Sequence, residues 1–278
     1  MAMRLAKLSF NDSGMANFVE KSYDRISSGY DNTWTSHMRD KTEALLNRLP
    51  LEKGQKALDL ACGTGFATGL LYKKTQNRVT GVDSSAGMLS QARRNAPECE
   101  FVQSDILDYL KSQKDNSFDI VTCCWAIGYS RPFAVMKQIK RVLKKDGCVA
   151  IIDNSLFSLK EILYCSFLAF LEQPEKLEHL MKFRFLTSSR HLALYLRLLS
   201  MKTVWSDNGQ KSFFVQTGDD AIAKLRATGA AAGFEYAANE KNSELIFRRF
   251  AEILEQKYKT SQGIEIIHRY FEGIAQKR

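Results

Sequence analysis

None of the six cysteines falls in a C-x-x-C pair, no apolar run reaches the length of a membrane span, and no repeat or low-complexity tract occurs in the 278 residues. Cys62, Cys99, Cys123, Cys124, Cys148 and Cys165 lie mostly in apolar runs. That placement excludes a disulfide framework or a zinc ribbon and reads as reduced, buried small residues, so no metal is expected. The most apolar stretch, "ILYCSFLAFL" from Ile162 to Leu171, is half of the roughly 20 residues that a spanning helix needs. The start, "MAMRLAKLSF", lacks the long apolar segment and small-residue cleavage site of a secretory signal, and a cytoplasmic location is expected. Basic residues are scattered, with only short doublets such as Arg93-Arg94 and Arg248-Arg249. The formal charge of +9 favours encounter with anions without naming one, and without base-stacking motifs a nucleic-acid partner is not expected.

The chain is 45% hydrophobic, enough to bury a large core. From Ala57 to Asp153, short apolar segments alternate with helical patterns. The strand candidates are "ALDLA", "RVTGVD", "CEFV", "FDIVTCC" and "CVAIID". Between them lie "ATGLLYKK", "AGMLSQARR", a segment near "ILDYLKS", and "FAVMKQIKRVLKK". In the last, Val135, Met136, Ile139, Val142 and Leu143 recur at helical spacing. Strands separated by helices predict right-handed crossovers and an α/β, Rossmann-like, doubly wound sheet that is mostly parallel. Ligands of such sheets bind beyond the carboxyl ends of the strands.

Four segments follow from this pattern. Residues 1–50 read as a lid of two helices joined near Gly29 and Asn32, with Leu45, Leu46 and Leu49 turned inward. Residues 51–155 are the binding core. Residues 156–216, rich in aromatics and leucine, read as a helical insertion after the fifth strand. Residues 217–278 complete the sheet and add a terminal helix, beginning with a helix that Thr217 caps. Whether "FEYAANEKNSELIFRRF" is a hairpin or a helix stays open.

The stretch "ALDLACGTGFATGLL" places Gly63 and Gly65 between the first strand and the first helix, where backbone can pass close to a ligand. Twenty positions after Gly63, at the end of the second strand, stands Asp83, placed to accept both hydroxyls of an adenosine ribose. Thr68 occupies the third glycine position of a dinucleotide fingerprint. Asp59 stands just ahead of the turn, where a carboxylate repels a diphosphate and attracts an ammonium. A cationic adenosine cofactor is therefore expected, and S-adenosylmethionine is one.

At these residues the chain resembles the class I S-adenosylmethionine-dependent methyltransferases of small molecules. "LDLACGTG" matches their glycine motif, "VTGVDSSAGML" their ribose-binding segment and "VQSDILD" the acidic segment near the adenine. "FDIVTCCWAI" and "RVLKKDGCVAII" are similar to the fourth and fifth of seven strands. The resemblance, which covers roughly residues 23–153, implies that S-adenosylmethionine is the cofactor. It also implies that backbone at Ala61, Gly63 and Gly65 approaches the methionine moiety beside Asp59, and that Asp83 binds the ribose. Ser84 and Met88 would line the adenine, Asp105 would take its exocyclic amine with Ile106 stacked beside it, and Cys124 and Trp125 would face the sulfonium. "YDRISSGYDNTW" resembles the amino-terminal helix of many members, placing Tyr30 at the methionine carboxylate with Arg39 to neutralise it.

Methyl transfer is an in-line displacement that needs alignment more than a nucleophile. An acidic acceptor would use a general base. His37 and His191 are the candidates among four histidines, and no catalytic residue is assigned. The spacing is similar to quinone C-methyltransferases and malonyl-carrier-protein O-methyltransferases, but "AIGYSRP" stands where quinone enzymes carry G-x-R-N-x-x-D. A small, lipophilic or natural-product-like acceptor is expected. The alternatives are a nicotinamide-dependent oxidoreductase and a noncatalytic, cofactor-binding partner subunit.

Overall fold

The computed structural model describes residues 15–180, 183–230, 232 and 234–278. The chain forms two compact units. Residues 27–156, 183–209 and 270–278 make a sheet unit, and the described residues among 1–26, 157–182 and 210–269 make a helical unit. Contacts thus group the chain differently from the four consecutive segments expected at 1–50, 51–155, 156–216 and 217–278. The reason is that two long strands, residues 201–215 and 263–277, each contribute residues to both units.

In chain order the sheet unit contains α2 (Ser36–Asn47), β1 (Ala57–Leu60), α3 (Phe66–Thr75), β2 (Thr80–Asp83), α4 (Ala86–Asn95), β3 (Glu100–Gln103), α5 (Ile106–Ser112), β4 (Phe118–Cys124), α6 (Pro132–Val142), β5 (Leu143–Asn154) and α8 (Ser189–Leu198). It is completed by parts of β6 (Met201–Val215) and β8 (Gly263–Lys277). The helical unit contains α1 (Met15–Ile26), α7 (Lys160–Glu172), α9 (Gly218–Ala227), α10 (Glu240–Tyr258) and β7 (Lys259–Thr260).

Strand order is β3-β2-β1-β4-β5-β8-β6, with the two-residue β7 beside β8. The ladders from β3 to β5 are parallel and β5 meets β8 antiparallel. The sheet is therefore the expected mostly parallel one, with seven strands on its main path. β1 is buried at every position, as a strand covered by helices on both faces must be. Helices start where the sequence supplies caps. Ser85 accepts from the Met88 amide at 3.0 Å, Asp105 caps α5, and Pro132 opens α6, where its missing N–H costs nothing. Val135, Met136, Ile139 and Val142 of α6 pack into the core on one face of the sheet, and Leu45, Leu46 and Leu49 into the core on the other.

The insertion expected to be helical from 156 to 216 is helical only in α7 and α8; residues 201–215 form β6. Along β6 the exposed side carries Val204 and Phe214, while Thr203 and Lys211 are half-buried. Its apolar residues therefore do not alternate with its burial, and the period-2 signal is lost. The chain ends in β8 and not in a helix. The ambiguous stretch near residue 240 is α10, whose Ile246, Phe250, Ile253 and Leu254 face the core of the helical unit.

In the helical unit, Thr217 accepts from the Asp220 amide at 3.0 Å while Asp220 accepts from the Thr217 amide at 3.1 Å, a reciprocal cap on α9. The first residue of α9, Gly218, lies against α10 so closely that a Cβ there would stand 2.3 Å from the Ala251 carbonyl oxygen. Backbone cannot yield as a side-chain tip does. Gly218→Ala is expected to cost about 3 kcal/mol, the upper end for overpacking, read as a lower midpoint in urea unfolding.

Candidate active site

The C-terminal ends of β1, β2 and β4 converge on the glycine turn. Ala61, Gly63 and Gly65 all have positive φ, at 52°, 52° and 83°. The two glycines serve different purposes. A Cβ at Gly65 would lie 3.1 Å from the Ala92 Cβ, so that glycine permits α3 to pack on α4. A Cβ at Gly63 meets nothing within 4 Å, so the turn there is open on the side a ligand would approach.

Asp59 closes the floor of the site. It is 1% exposed and accepts two hydroxyl hydrogen bonds at 2.7 Å, from Thr68 on α3 and from Thr122 on β4. Burial pushes its pKa up to about 6, against the lowering effect of those two hydroxyls. Asp83 holds the rim. One carboxylate oxygen accepts from the Gly63 amide at 2.8 Å and the other from the Ser85 amide at 3.0 Å. A single side chain thus ties the glycine turn to the start of α4. A third carboxylate, Asp31, accepts from Thr64 Oγ1 at 2.5 Å, Thr35 Oγ1 at 2.8 Å and Asn95 Nδ2 at 2.9 Å, fastening the segment before α2 to the same turn.

Above the turn lies a cavity walled by Tyr30, Trp34, Met38, Asp59, Ala61, Gly63, Cys124 and Trp125, among others. Of the residues expected from sequence, these six form part of one wall: Tyr30, Asp59, Ala61, Gly63, Cys124 and Trp125. Burial pushes the Tyr30 hydroxyl well above its usual value, reinforced by Tyr129, Asp83, Asp31 and Asp153, so it stays a neutral donor. Burial does the same to the Cys124 thiol, with Asp59 adding to the shift, which removes it as a nucleophile. Trp125, at φ 65°, donates from Nε1 to Thr42 Oγ1 at 2.9 Å and meets Trp34 and Tyr270 edge-on. Its indole is anchored where it lines the cavity.

The remaining expectations fall outside that wall. Arg39 is exposed and its guanidinium lies 4.6 Å from the centre of the Phe66 ring, which itself lines the cavity. Asp105 spends one oxygen on the Leu107 and Asp108 amides at 2.8 and 3.0 Å as the cap of α5. Met88 and Ile106 are buried, and Ser84 is exposed with its carbonyl accepting from Gln103 at 2.9 Å. His37 and His191 are not in the wall; Nδ1 of His191 lies 3.3 Å from Thr187 Oγ1.

Sequence reasoning missed Thr68 and Thr122 as the partners of Asp59, and Asp31 as the clasp on the turn. Asp31 had a local signal in "YDNTW". Thr122 had none, since its bond to Asp59 spans 63 positions. A further carboxylate, Asp153 at the end of β5, is fully buried and accepts from the Gly128 and Asn154 amides, each at 2.7 Å. Burial raises its pKa to about 7.

A family described as the methyltransferase domain matches residues 57–147. Trans-aconitate 2-methyltransferases of Shigella flexneri and Escherichia coli are 40% identical over 78 residues, which is 28% of this chain and 30% of theirs. The match spans less than a third of those relatives' length. Among solved structures, the YcgJ protein of Bacillus subtilis aligns with a TM-score of 0.57 at 16% identity, over 86% of this chain and 99% of its own. Geranyl diphosphate C-methyltransferase from Streptomyces coelicolor, in complex with S-adenosyl-L-homocysteine, aligns at 0.53 and 13% over 86% and 78%. The [4+2]-cyclase SpnF aligns at 0.55 and 16% over 88% and 82%. At such identities the likeness establishes the fold, and the site must carry the chemistry.

Proposed function

We propose that this chain, a class I methyltransferase fold whose residues 57–147 match the methyltransferase domain, transfers a methyl group from S-adenosylmethionine to a small, apolar acceptor. The observation that carries the reading is Asp59: a buried carboxylate in the wall of a cavity beside an open glycine turn. A diphosphate there would face like charge in a desolvated site, whereas an α-ammonium would find an opposite one. S-adenosylmethionine, when bound, supplies a methyl group on a sulfonium.

The chain's own residues bind and align. Asp83 presents carboxylate oxygens for the ribose hydroxyls while holding the Gly63 amide in place. Gly63 lets backbone approach the amino-acid end, and Tyr30 offers a neutral hydroxyl to its carboxylate. Arg39 stands one ring away from that end, over Phe66. Ser84 after β2, Met88 in α4, Asp105 after β3 and Ile106 at the start of α5 are the adenine side of this reading.

The acceptor side is supported by an aromatic group beyond β4. The rings of Tyr129, Phe183 and Phe185 lie 5.4–5.5 Å apart in pairs. Asp153 fixes that group by holding the Gly128 amide, and the Gly128 carbonyl accepts from the Arg184 amide at 2.8 Å. Cys124 and Tyr30 are held neutral, and Asp59, the carboxylate of the wall, is committed in this reading to the Thr68 and Thr122 hydroxyls and to the ammonium, so no separate base is assigned. Alignment and exclusion of water therefore do most of the work. The test is incubation with methyl-labelled S-adenosylmethionine and a metabolite extract, followed by mass spectrometry. Label in a small apolar product is expected; label in no product, with the cofactor bound, would leave a binding protein and not an enzyme.

A further inference from the structure

We propose that the helical unit holds a second binding site, for a hydrocarbon chain, in the cavity enclosed by α7, α9 and α10. The inference rests on that unit alone and not on the methyl-transfer reading. The cavity, open at one side, is walled by Ile162, Phe170, Leu225, Ile246, Phe247 and Phe250, among others. Among the described residues, the side-chain hydroxyls in its wall are those of Ser166 and Ser243, and both are already used: Ser166 donates to the Leu163 carbonyl at 2.9 Å and Ser243 to the Glu235 carbonyl at 3.3 Å. A nucleotide, sugar or peptide placed there would bury polar groups with nothing to pair them. A hydrocarbon loses no hydrogen bond on entry, and each methylene leaves water for an apolar wall.

The mouth supports the same occupant. Helix α7 is apolar on both sides. Its inner side buries Ile162, Cys165, Ala169 and Phe170, while Leu163, Tyr164, Phe167 and Leu171 on the other are 38–47% exposed. Leu163, Phe167 and Leu171 repeat every four residues, so they form one stripe along the helix. Leu163 belongs both to that stripe and to the cavity wall. The cavity therefore opens onto an apolar track, and a chain longer than the cavity continues along it without meeting a charged group of α7. An aliphatic acyl tail and an isoprenoid tail share this chemistry.

The test is calorimetric titration of the full chain with n-alkanols of increasing length and with farnesol, each below its solubility limit. Affinity is expected to rise about 4-fold per methylene while the cavity fills, then by a smaller factor per methylene along the half-exposed stripe, and to level off once the chain passes Leu171. A tighter fit for farnesol than for the best alkanol identifies an isoprenoid tail, and the reverse an acyl tail. Leu163→Asp, at a half-exposed position, is expected to weaken binding at least tenfold while leaving titration with S-adenosylhomocysteine unchanged. Ala238→Leu, which narrows the wall without adding charge, is expected to move the plateau to shorter chains. Either variant decides the matter if the other fails to fold. The proposal is overturned if no chain binds saturably, if affinity climbs with length without a plateau, or if the folded variants bind as the native chain does.

Discussion

Asp83→Ala is expected to raise the dissociation constant for S-adenosylhomocysteine by at least about 100-fold, because two losses coincide. The ribose hydroxyls lose a charged acceptor, worth about 1.5–3 kcal/mol per hydrogen bond. The glycine turn also loses its anchor, since the Gly63 amide donates to Asp83 at 2.8 Å and the Ser85 amide to its other oxygen at 3.0 Å. Asp83→Asn separates the two contributions. Its amide oxygen can keep the Gly63 bond, but its nitrogen then turns a donor toward the Ser85 amide, so an intermediate loss is expected. Calorimetric titration gives both values, and a thermal melt without ligand shows how much of the change belongs to the fold. An Asp83→Ala variant that binds S-adenosylhomocysteine as the native chain does would remove Asp83 from the site.

Asp59 sets the second large effect, and it is visible as a pH dependence. In the free protein burial raises this carboxyl to about 6. Below that pH it is protonated and no longer attracts an ammonium, so affinity for S-adenosylhomocysteine is expected to fall about tenfold per pH unit from pH 6 toward pH 4. Asp59→Asn should flatten this profile and weaken binding about 10–100-fold at pH 7.5, the loss of a charge-assisted contact. The substitution is tolerable for the fold because the Thr68 and Thr122 hydroxyls, which now donate to Asp59 at 2.7 Å, can also accept from an amide.

Stability without ligand runs the opposite way. A carboxyl whose folded pKa lies above its unfolded value stabilises the fold fully only below the unfolded value, and that contribution is lost as pH rises through the folded one. Asp59 at about 6 and Asp153 at about 7 thus both withdraw stability between roughly pH 4 and pH 7. The drop in melting temperature from pH 5 to pH 7.5 should be smaller in Asp59→Asn than in the native chain. The cofactor product should narrow it too, because it favours the ionised carboxylate.

The parts of this structure that the sequence made legible are those built from local signals. β1 to β5 are apolar runs between helical patterns, and the Gly63-to-Asp83 spacing brings the Asp83 carboxylate to the Gly63 amide, which donates to it at 2.8 Å. The six residues that share the cavity wall were each adjacent to a strand end or a lid motif. What stayed hidden was set by register and by long-range packing. Thr122 reaches Asp59 only because β4 lies beside β1 with Thr122 opposite Asp59. β6 was unreadable because its exposed side holds Val204 and Phe214, so its apolar residues do not alternate as a half-buried strand requires. The helical unit is assembled from three separate stretches, and no single one announces that its apolar faces meet. Arg39 illustrates the limit in the other direction. Its charge suggested a carboxylate partner, yet its guanidinium rests on the Phe66 ring, and an aromatic partner 27 positions away on another helix leaves no pattern to read.

The claim on which the rest depends is that the glycine turn and Asp59 accept a cationic amino-acid tail and reject a diphosphate. Parallel calorimetric titrations at pH 7.5 with S-adenosylhomocysteine and with NAD test it directly. Saturable binding of S-adenosylhomocysteine with a dissociation constant of roughly micromolar order, and no heat from NAD, is the predicted result. Tight binding of NAD with none of S-adenosylhomocysteine would contradict it.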